Sequence, residues 1–320
     1  MTRAGTETEL DMVVVRRTAV AEGVVRLDLA DPSGATLPEW SPGAHIDLIL
    51  PGDLVRQFSL CSNPADRSNW SVAVLREVEG RGGSAYVHGK LSEGDAVRVR
   101  GPRNNFPLVE AGHYVFVAGG IGVTPIVPML AEVAARGAGF ELLYGGRTRA
   151  SMAFSETLAE LYGGRVTTRP QDEHGLLDLV EPFDTPRDDA VVYCCGPESL
   201  LNAVEQNTAA WPAGSLHLER FTPKELSEPV RAGGFGIELA RSGMVLEVPA
   251  GRSIVEILRE NDVPITTSCE EGTCGSCETA VLEGEPEHRD SVIDEDERES
   301  SETMMLCVSR AVSDRLVLDL

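Results

Sequence analysis

The chain has 320 residues, 42% of them apolar, which is enough material for two or three domains with real cores. Acidic residues outnumber basic ones 51 to 28, and the formal net charge of −23 argues against nucleic acid and against anionic membranes as partners. The opening MTRAGTETELD has no apolar run of the kind a signal peptide needs, and seven cysteines in a cytoplasmic chain point to metal or redox chemistry rather than disulfides.

Along residues 1–106, VVRLDL, HIDLIL, RQFSLC, WSVAVLREV and AVRVR are short alternating runs parted by Gly and Pro. They predict a small antiparallel β-barrel, interrupted by one helix from about Gly83 to Leu91. From residue 107 to 224 the rhythm changes. YVFVA, FELLY, RVTTR, AVVYCC and LHLERF read as buried strands separated by helices, the first helix running from Thr124 to about Arg136. That alternation predicts an α/β domain with a parallel, doubly wound sheet. The apolar stretch from Val115 to Ala131 is broken by Gly119, Gly120, Gly122, Pro125 and Pro128. It reads as strand, turn and helix rather than as a membrane span.

Residues 225–233 have linker composition, with Pro and paired Gly nearby. The last unit, 234–320, opens with a hairpin turning at Ser242-Gly243, and Ser253 and Glu256 then make a capping box for a short helix. This unit is strongly acidic: Gly251 to Leu320 holds 18 Asp and Glu against six Arg and no Lys, with IDEDERESSE the densest run. Such a surface is either a solvated face or a docking face for a basic partner.

The most specific pattern is Cys269-x4-Cys274-x2-Cys277 with Cys307 downstream. Four thiolates in this spacing match the plant-type [2Fe–2S] pattern, with Gly272 and Gly275 letting the loop wrap closely. Structural zinc is the alternative, but zinc modules usually offer two close pairs of ligands. A Rieske centre would need two His ligands, and no His pair, His288 included, has suitable spacing. Two glycine loops carry a second signal. VAGGIGVTP and YCCGPESLL each follow a strand and open a helix, where backbone N–H groups can seat a pyrophosphate. GRGGS, 80–84, has the same logic at the start of the barrel helix.

With these motifs in this order, the chain resembles the phthalate dioxygenase reductase family, which joins a flavin barrel, an NAD domain and a plant-type ferredoxin of α+β (β-grasp) fold. The resemblance implies FMN, a [2Fe–2S] cluster and NADH. NADPH stays open because Arg147 and Arg149, rather than an acid, follow LLYGG. It implies that RQFSL is the flavin motif, with Arg56 on the phosphate, Gln57 and Phe58 inside the motif (Phe58 where Tyr is usual), and Ser59 near the flavin N5. Gly82, Gly83 and Ser84 would form the second phosphate clamp. Gly120, Gly122 and Thr124 would hold the nucleotide, Cys195, Gly196 and Pro197 would flank the nicotinamide, and Phe221 would lie over the flavin. Ser59, Cys195 and Phe221 are thus the expected catalytic residues, while Cys61 and Cys194 read as core. The implied function is a reductase feeding a separate terminal oxygenase of the Rieske aromatic or O-demethylating type; on the docking reading of its charge, the acidic ferredoxin unit is where that partner would bind. The alternatives are the same architecture serving a cytochrome P450, and a non-catalytic module held by zinc.

Overall fold

A computed structural model describes residues 8–52, 54–224, 226, 228–293 and 295–320, without the side chains of 295 and 296. The chain forms two compact units, Met1–Phe221 and Thr222–Leu320. The flavin-barrel and NAD segments expected as separate domains share the first unit, and its boundary falls three residues before the expected end at 224.

The first unit begins with a six-stranded antiparallel sheet. Its strands are β1 (Glu9–Ala21), β2 (Val24–Ala30), β3 (His45–Leu50), β4 (Leu54–Ser59), β5 (Trp70–Leu75) and β6 (Ala96–Arg103), in the order β4-β3-β6-β1-β2-β5. An antiparallel bridge between Leu60 and Val72 joins the two ends, so the sheet closes on itself. Alternation puts Leu27, Leu29, Ile46, Leu48, Val72 and Val99 inside, all essentially without exposure. The helix α1 (Gly83–Lys90) appears where the sequence expects it. β1 was not expected. Its VVV run lacks alternation and is followed by paired arginines, and register shifts after Val14 and Ala19 let it pair with both β2 and β6.

The second sheet of this unit is parallel: β7 (His113–Gly119), β8 (Gly139–Gly146), β9 (Val166–Pro170), β10 (Ala190–Cys195) and β11 (Leu216–Glu219), ordered β11-β10-β7-β8-β9. The order reverses between β7 and β10, so a crevice opens at the carboxyl ends of those two strands. The helices α2 (Val123–Arg136), α3 (Ser155–Tyr162) and α6 (Glu198–Asn207) follow β7, β8 and β10. After β9 there is no full helix, contrary to the sequence reading. Two single turns, α4 (Gln171–His174) and α5 (Val180–Phe183), stand there instead, because Gly175 at φ 73° and Pro182 break the segment. Among the described residues no helix is long and apolar enough to cross a membrane. The stretch from Val115 resolves into β7, a turn and α2.

The second unit pairs β12 (Phe235–Leu239) with β13 (Met244–Val248) in the expected hairpin, with Gly243 at φ 70°. β14 (Glu278–Glu283), β16 (Thr303–Met305) and β18 (Arg315–Leu318) complete a sheet ordered β13-β12-β18-β14-β16, and β15 (Pro286–Glu287) pairs with β17 (Arg310–Ala311). The Ser253–Glu256 capping box opens α7 (Ile254–Glu260), whose Ile254, Val255 and Leu258 fill the core. A short helix, α8 (Glu295–Ser300), runs through the acidic segment.

Candidate functional site

Two glycine loops meet at the switch point because β7 and β10 are neighbours, with Ala118 in register with Cys195. The fit leaves no room for side chains. A Cβ on Gly119 would lie 2.6 Å from Pro197 Cδ, and one on Gly122 would lie 2.5 Å from the Cys195 carbonyl carbon and 2.8 Å from the Gly196 nitrogen. Gly196 in turn packs its α-carbon side on Gly119. The expected residues Gly120, Gly122, Cys195, Gly196 and Pro197 are therefore brought together. Gly120 sits at φ 54°, a conformation that favours glycine, and nothing lies within 4 Å of the position its Cβ would take. Thr124 plays a different part, since its buried hydroxyl donates to Ile121 O at 2.9 Å and shapes the loop from within.

Across the same crevice Ser59 ends β4. Here the structure supplies a residue that the sequence reading quoted but did not single out. Glu219, in register with Cys195 on the adjacent strand β11, accepts from the Cys195 thiol at 3.8 Å and is also bonded to Ser59. Burial pushes its carboxyl up to about 8, against the smaller opposing pull of those two bonds, and burial likewise raises the Cys195 thiol. Glu219 stands at the carboxyl end of β11, two residues before Phe221. Phe221 itself is 43% exposed just beyond β11. Cys61 and Cys194 are buried core thiols, the first pushed up to about 12 by burial.

At the barrel end of this unit, Arg56 lies against the GRGGS loop. Its Nε is 3.0 Å from where a Gly83 Cβ would be, and its guanidinium donates to Arg81 O at 2.8 Å and Val55 O at 2.7 Å. Gly82 caps α1 at φ 86° without any side-chain bond, leaving the first N–H groups of the helix to a ligand. An arginine fork beside an uncapped helix start, over glycines that admit close approach, fits a flavin phosphate. Ser84 is turned otherwise, its hydroxyl accepting from Glu77 N at 3.0 Å. Gln57 also faces elsewhere. Its amide donates at 3.2 Å to the fully buried Asp47, which Arg100 and Arg103 bind as well. Burial opposes ionisation of Asp47, but the two arginines outweigh it and hold its carboxyl below the usual range. Phe58 packs partly buried against the barrel core.

Arg147 and Arg149 diverge in role. Arg149 is gripped by Glu173 through bonds of 2.6 and 3.1 Å, whereas Arg147 is exposed just past β8.

In the second unit, Cys269, Cys274 and Cys277 lie on the loop between α7 and β14, and Cys307 follows β16. All four are at most 8% exposed. All four are free thiols, with Cys269 within hydrogen-bonding reach of Cys274 and Cys307, and Cys307 of Cys277. Backbone N–H groups of Glu271 and Thr273 donate to the Cys269 sulfur at 3.3 and 3.4 Å, and Ser276 Oγ lies 3.1 Å from Cys274 Sγ. The bond from Cys274 holds the Cys269 thiol well below its ordinary value, while Cys274 and Cys307 are pushed up as its partners. Gly272, at φ 72°, lets this loop press on Val308 and Asp290, where a Cβ would come within 2.6 Å of Val308 Cγ2. Buried sulfurs meeting one another, with two N–H donors aimed at the Cys269 sulfur, suit a cluster in which irons and sulfides share the charge.

Fold and site together define a pyridine-nucleotide-dependent flavin and iron–sulfur reductase. Residues 116–206 match the model for the oxidoreductase NAD-binding domain, and residues 237–312 match that for the 2Fe-2S iron-sulfur cluster binding domain. The chain is 40% identical to the phthalate 4,5-dioxygenase oxygenase reductase subunit of Pseudomonas putida, over 96% of this chain and 95% of that one. It superposes on the solved structure of phthalate dioxygenase reductase, described as a modular structure for electron transfer from pyridine nucleotides to [2Fe–2S], with TM-score 0.71 and 39% identity over 98% of both chains. It also matches an intact type IV self-sufficient cytochrome P450 monooxygenase, with TM-score 0.93 and 44% identity, covering 98% of this chain but 41% of that longer one. The chain belongs to the phthalate dioxygenase reductase family. It is an oxidoreductase that carries electrons from NADH through a flavin to a [2Fe–2S] cluster.

Proposed function

We propose that this protein is the reductase of a two-component oxygenase system, with FMN as its flavin and a separate Rieske-type aromatic oxygenase or O-demethylase as its acceptor. The observation that carries this reading is the near full-length likeness to a dioxygenase reductase subunit. FMN, when bound, takes a pair of electrons and releases them singly, matching a two-electron donor to a one-electron cluster. The chain's own residues bind and orient. Arg56 and the start of α1 hold the flavin phosphate. The Gly119–Gly122 loop seats the nucleotide pyrophosphate, and Cys195-Gly196-Pro197 line the nicotinamide side. Ser59, with Glu219 behind it, fixes the hydride-accepting edge, and Phe221 covers the flavin face. Cys269, Cys274, Cys277 and Cys307 ligate the irons. NADH is preferred over NADPH, because Glu173 neutralises Arg149 and leaves Arg147 alone to meet a 2′-phosphate. The protein works in the cytoplasm, where thiols stay free.

The acceptor docks on the acidic ferredoxin unit, a basic oxygenase face being steered there by charge. Turnover with the oxygenase should fall as salt rises, while NADH-driven dye reduction stays nearly constant. Equal salt responses in the two assays would remove the docking surface. A second reading, in which the acceptor is a cytochrome P450, is favoured by the likeness to 41% of the self-sufficient P450 monooxygenase chain. Reconstitution with each oxygenase type separates the two.

A further inference from the structure

Behind the nucleotide loop stands a residue with no part in the electron path described so far. Tyr144, on β8, is completely buried. Its hydroxyl lies 3.2 Å from the Gly120 carbonyl oxygen and 3.0 Å from that of Ala153, so its single proton is shared between them. Burial pushes the phenol up, which keeps that proton in place at any physiological pH. The two carbonyls belong to different parts of the unit. Gly120 opens the pyrophosphate loop. Ala153 packs with Val24, Cys61 and Ala73 of the barrel, and it precedes Phe154, a non-glycine residue at φ 63°. A bond of 2.7 Å from Glu22 N to Ala150 O fastens the same segment to the barrel.

In a trans peptide the carbonyl and the following N–H point in opposite directions. The Gly120 oxygen accepts from Val123 N–H within the 3-10 turn and from Tyr144 on its inner side, so the Ile121 N–H faces away from the buried ring. It also stands in the first turn of the helical run Gly120–Arg136, where N–H groups have no partner within the helix. We propose that Tyr144 is a positioning residue for the pyridine nucleotide: by holding the Gly120 carbonyl inward it aims the Ile121 N–H at the pyrophosphate. The inference rests on the nucleotide reading of the GGIGVTP loop. Through Ala153 the same hydroxyl ties the loop to the barrel-facing segment, so phosphate seat and flavin barrel keep a fixed spacing.

The test uses FMN- and iron-loaded protein and two probes. ADP-ribose, which carries the pyrophosphate without nicotinamide, is titrated calorimetrically. Adenosine, which carries neither phosphate, is measured by its inhibition constant against NADH. Tyr144→Phe deletes the hydroxyl alone and should weaken ADP-ribose by about five- to tenfold, the worth of one well-aimed hydrogen bond, while adenosine is unchanged. Gly120→Ala disturbs the same peptide without touching the core and should give the same pattern, so it carries the test should the tyrosine variant fail to fold. ADP-ribose affinity within twofold of the parent, or equal weakening of both probes, would overturn the role. Absence of ADP-ribose binding to the unmodified protein would overturn the nucleotide reading, and this inference with it.

Discussion

Glu219 shows how a single carboxyl is set by its surroundings. Folding lifts it from an ordinary 4.5 to about 8, chiefly by burial, so the folded chain keeps a proton that the unfolded chain has already lost across that window. Its cost to stability is therefore absent below 4.5, grows as pH rises, and is complete above about 8. Glu219→Gln, neutral throughout, should gain melting temperature relative to the parent as pH is raised through that range. It should also abolish an inflection near pH 8 in the rate of flavin reduction by NADH. In the parent that rate falls as the carboxylate forms, because a negative charge beside Ser59 opposes electron density arriving there. An inflection unchanged in the variant would assign it to another group. In the sequence the iron–sulfur domain was legible because cysteine spacing marks it, and the pairing of Arg56 with the GRGGS loop because motif order does. Glu219 was not, because its meaning lies in cross-strand register with Cys195, which no local pattern reveals.

At the scale of elements, the two glycine loops act as one, since the parallel pairing of β7 and β10 brings them into backbone contact. Gly122→Ala would force a methyl onto the Cys195 peptide, and should cost about 1–3 kcal/mol of stability through overpacking. A fall in melting temperature together with slower NADH-driven flavin reduction, at unchanged dithionite reduction of the cluster, is the expected outcome. An unchanged melting temperature would mean that the loops separate freely. Strands of the parallel sheet were readable as continuous apolar runs, and the ferredoxin hairpin by its Ser-Gly turn. β1 escaped because a strand shared between two partners with register shifts does not alternate cleanly. The helix expected after β9 failed because Gly175 and Pro182 overrule the helical content of LLDLVEPF. Gln57 and Ser84 stand in recognisable motifs, yet their side chains are taken by Asp47 and by the Glu77 backbone, partners far enough away that only the fold brings them close.

The whole molecule divides its chemistry between two units. The first holds the two glycine loops and the contacts of Glu219 with Ser59 and Cys195, and the second holds the four thiols. Electrons that enter at the first unit leave through the iron–sulfur domain of the second. Anaerobic addition of NADH to freshly purified protein, followed by visible absorbance and by electron paramagnetic resonance, tests this route most directly. The expected result is flavin bleaching followed by the signal of a reduced [2Fe–2S] cluster, with Cys307→Ser keeping the bleaching and losing the signal. A colourless, iron-poor protein, or bleaching in the unmodified protein with no cluster signal at all, would contradict it.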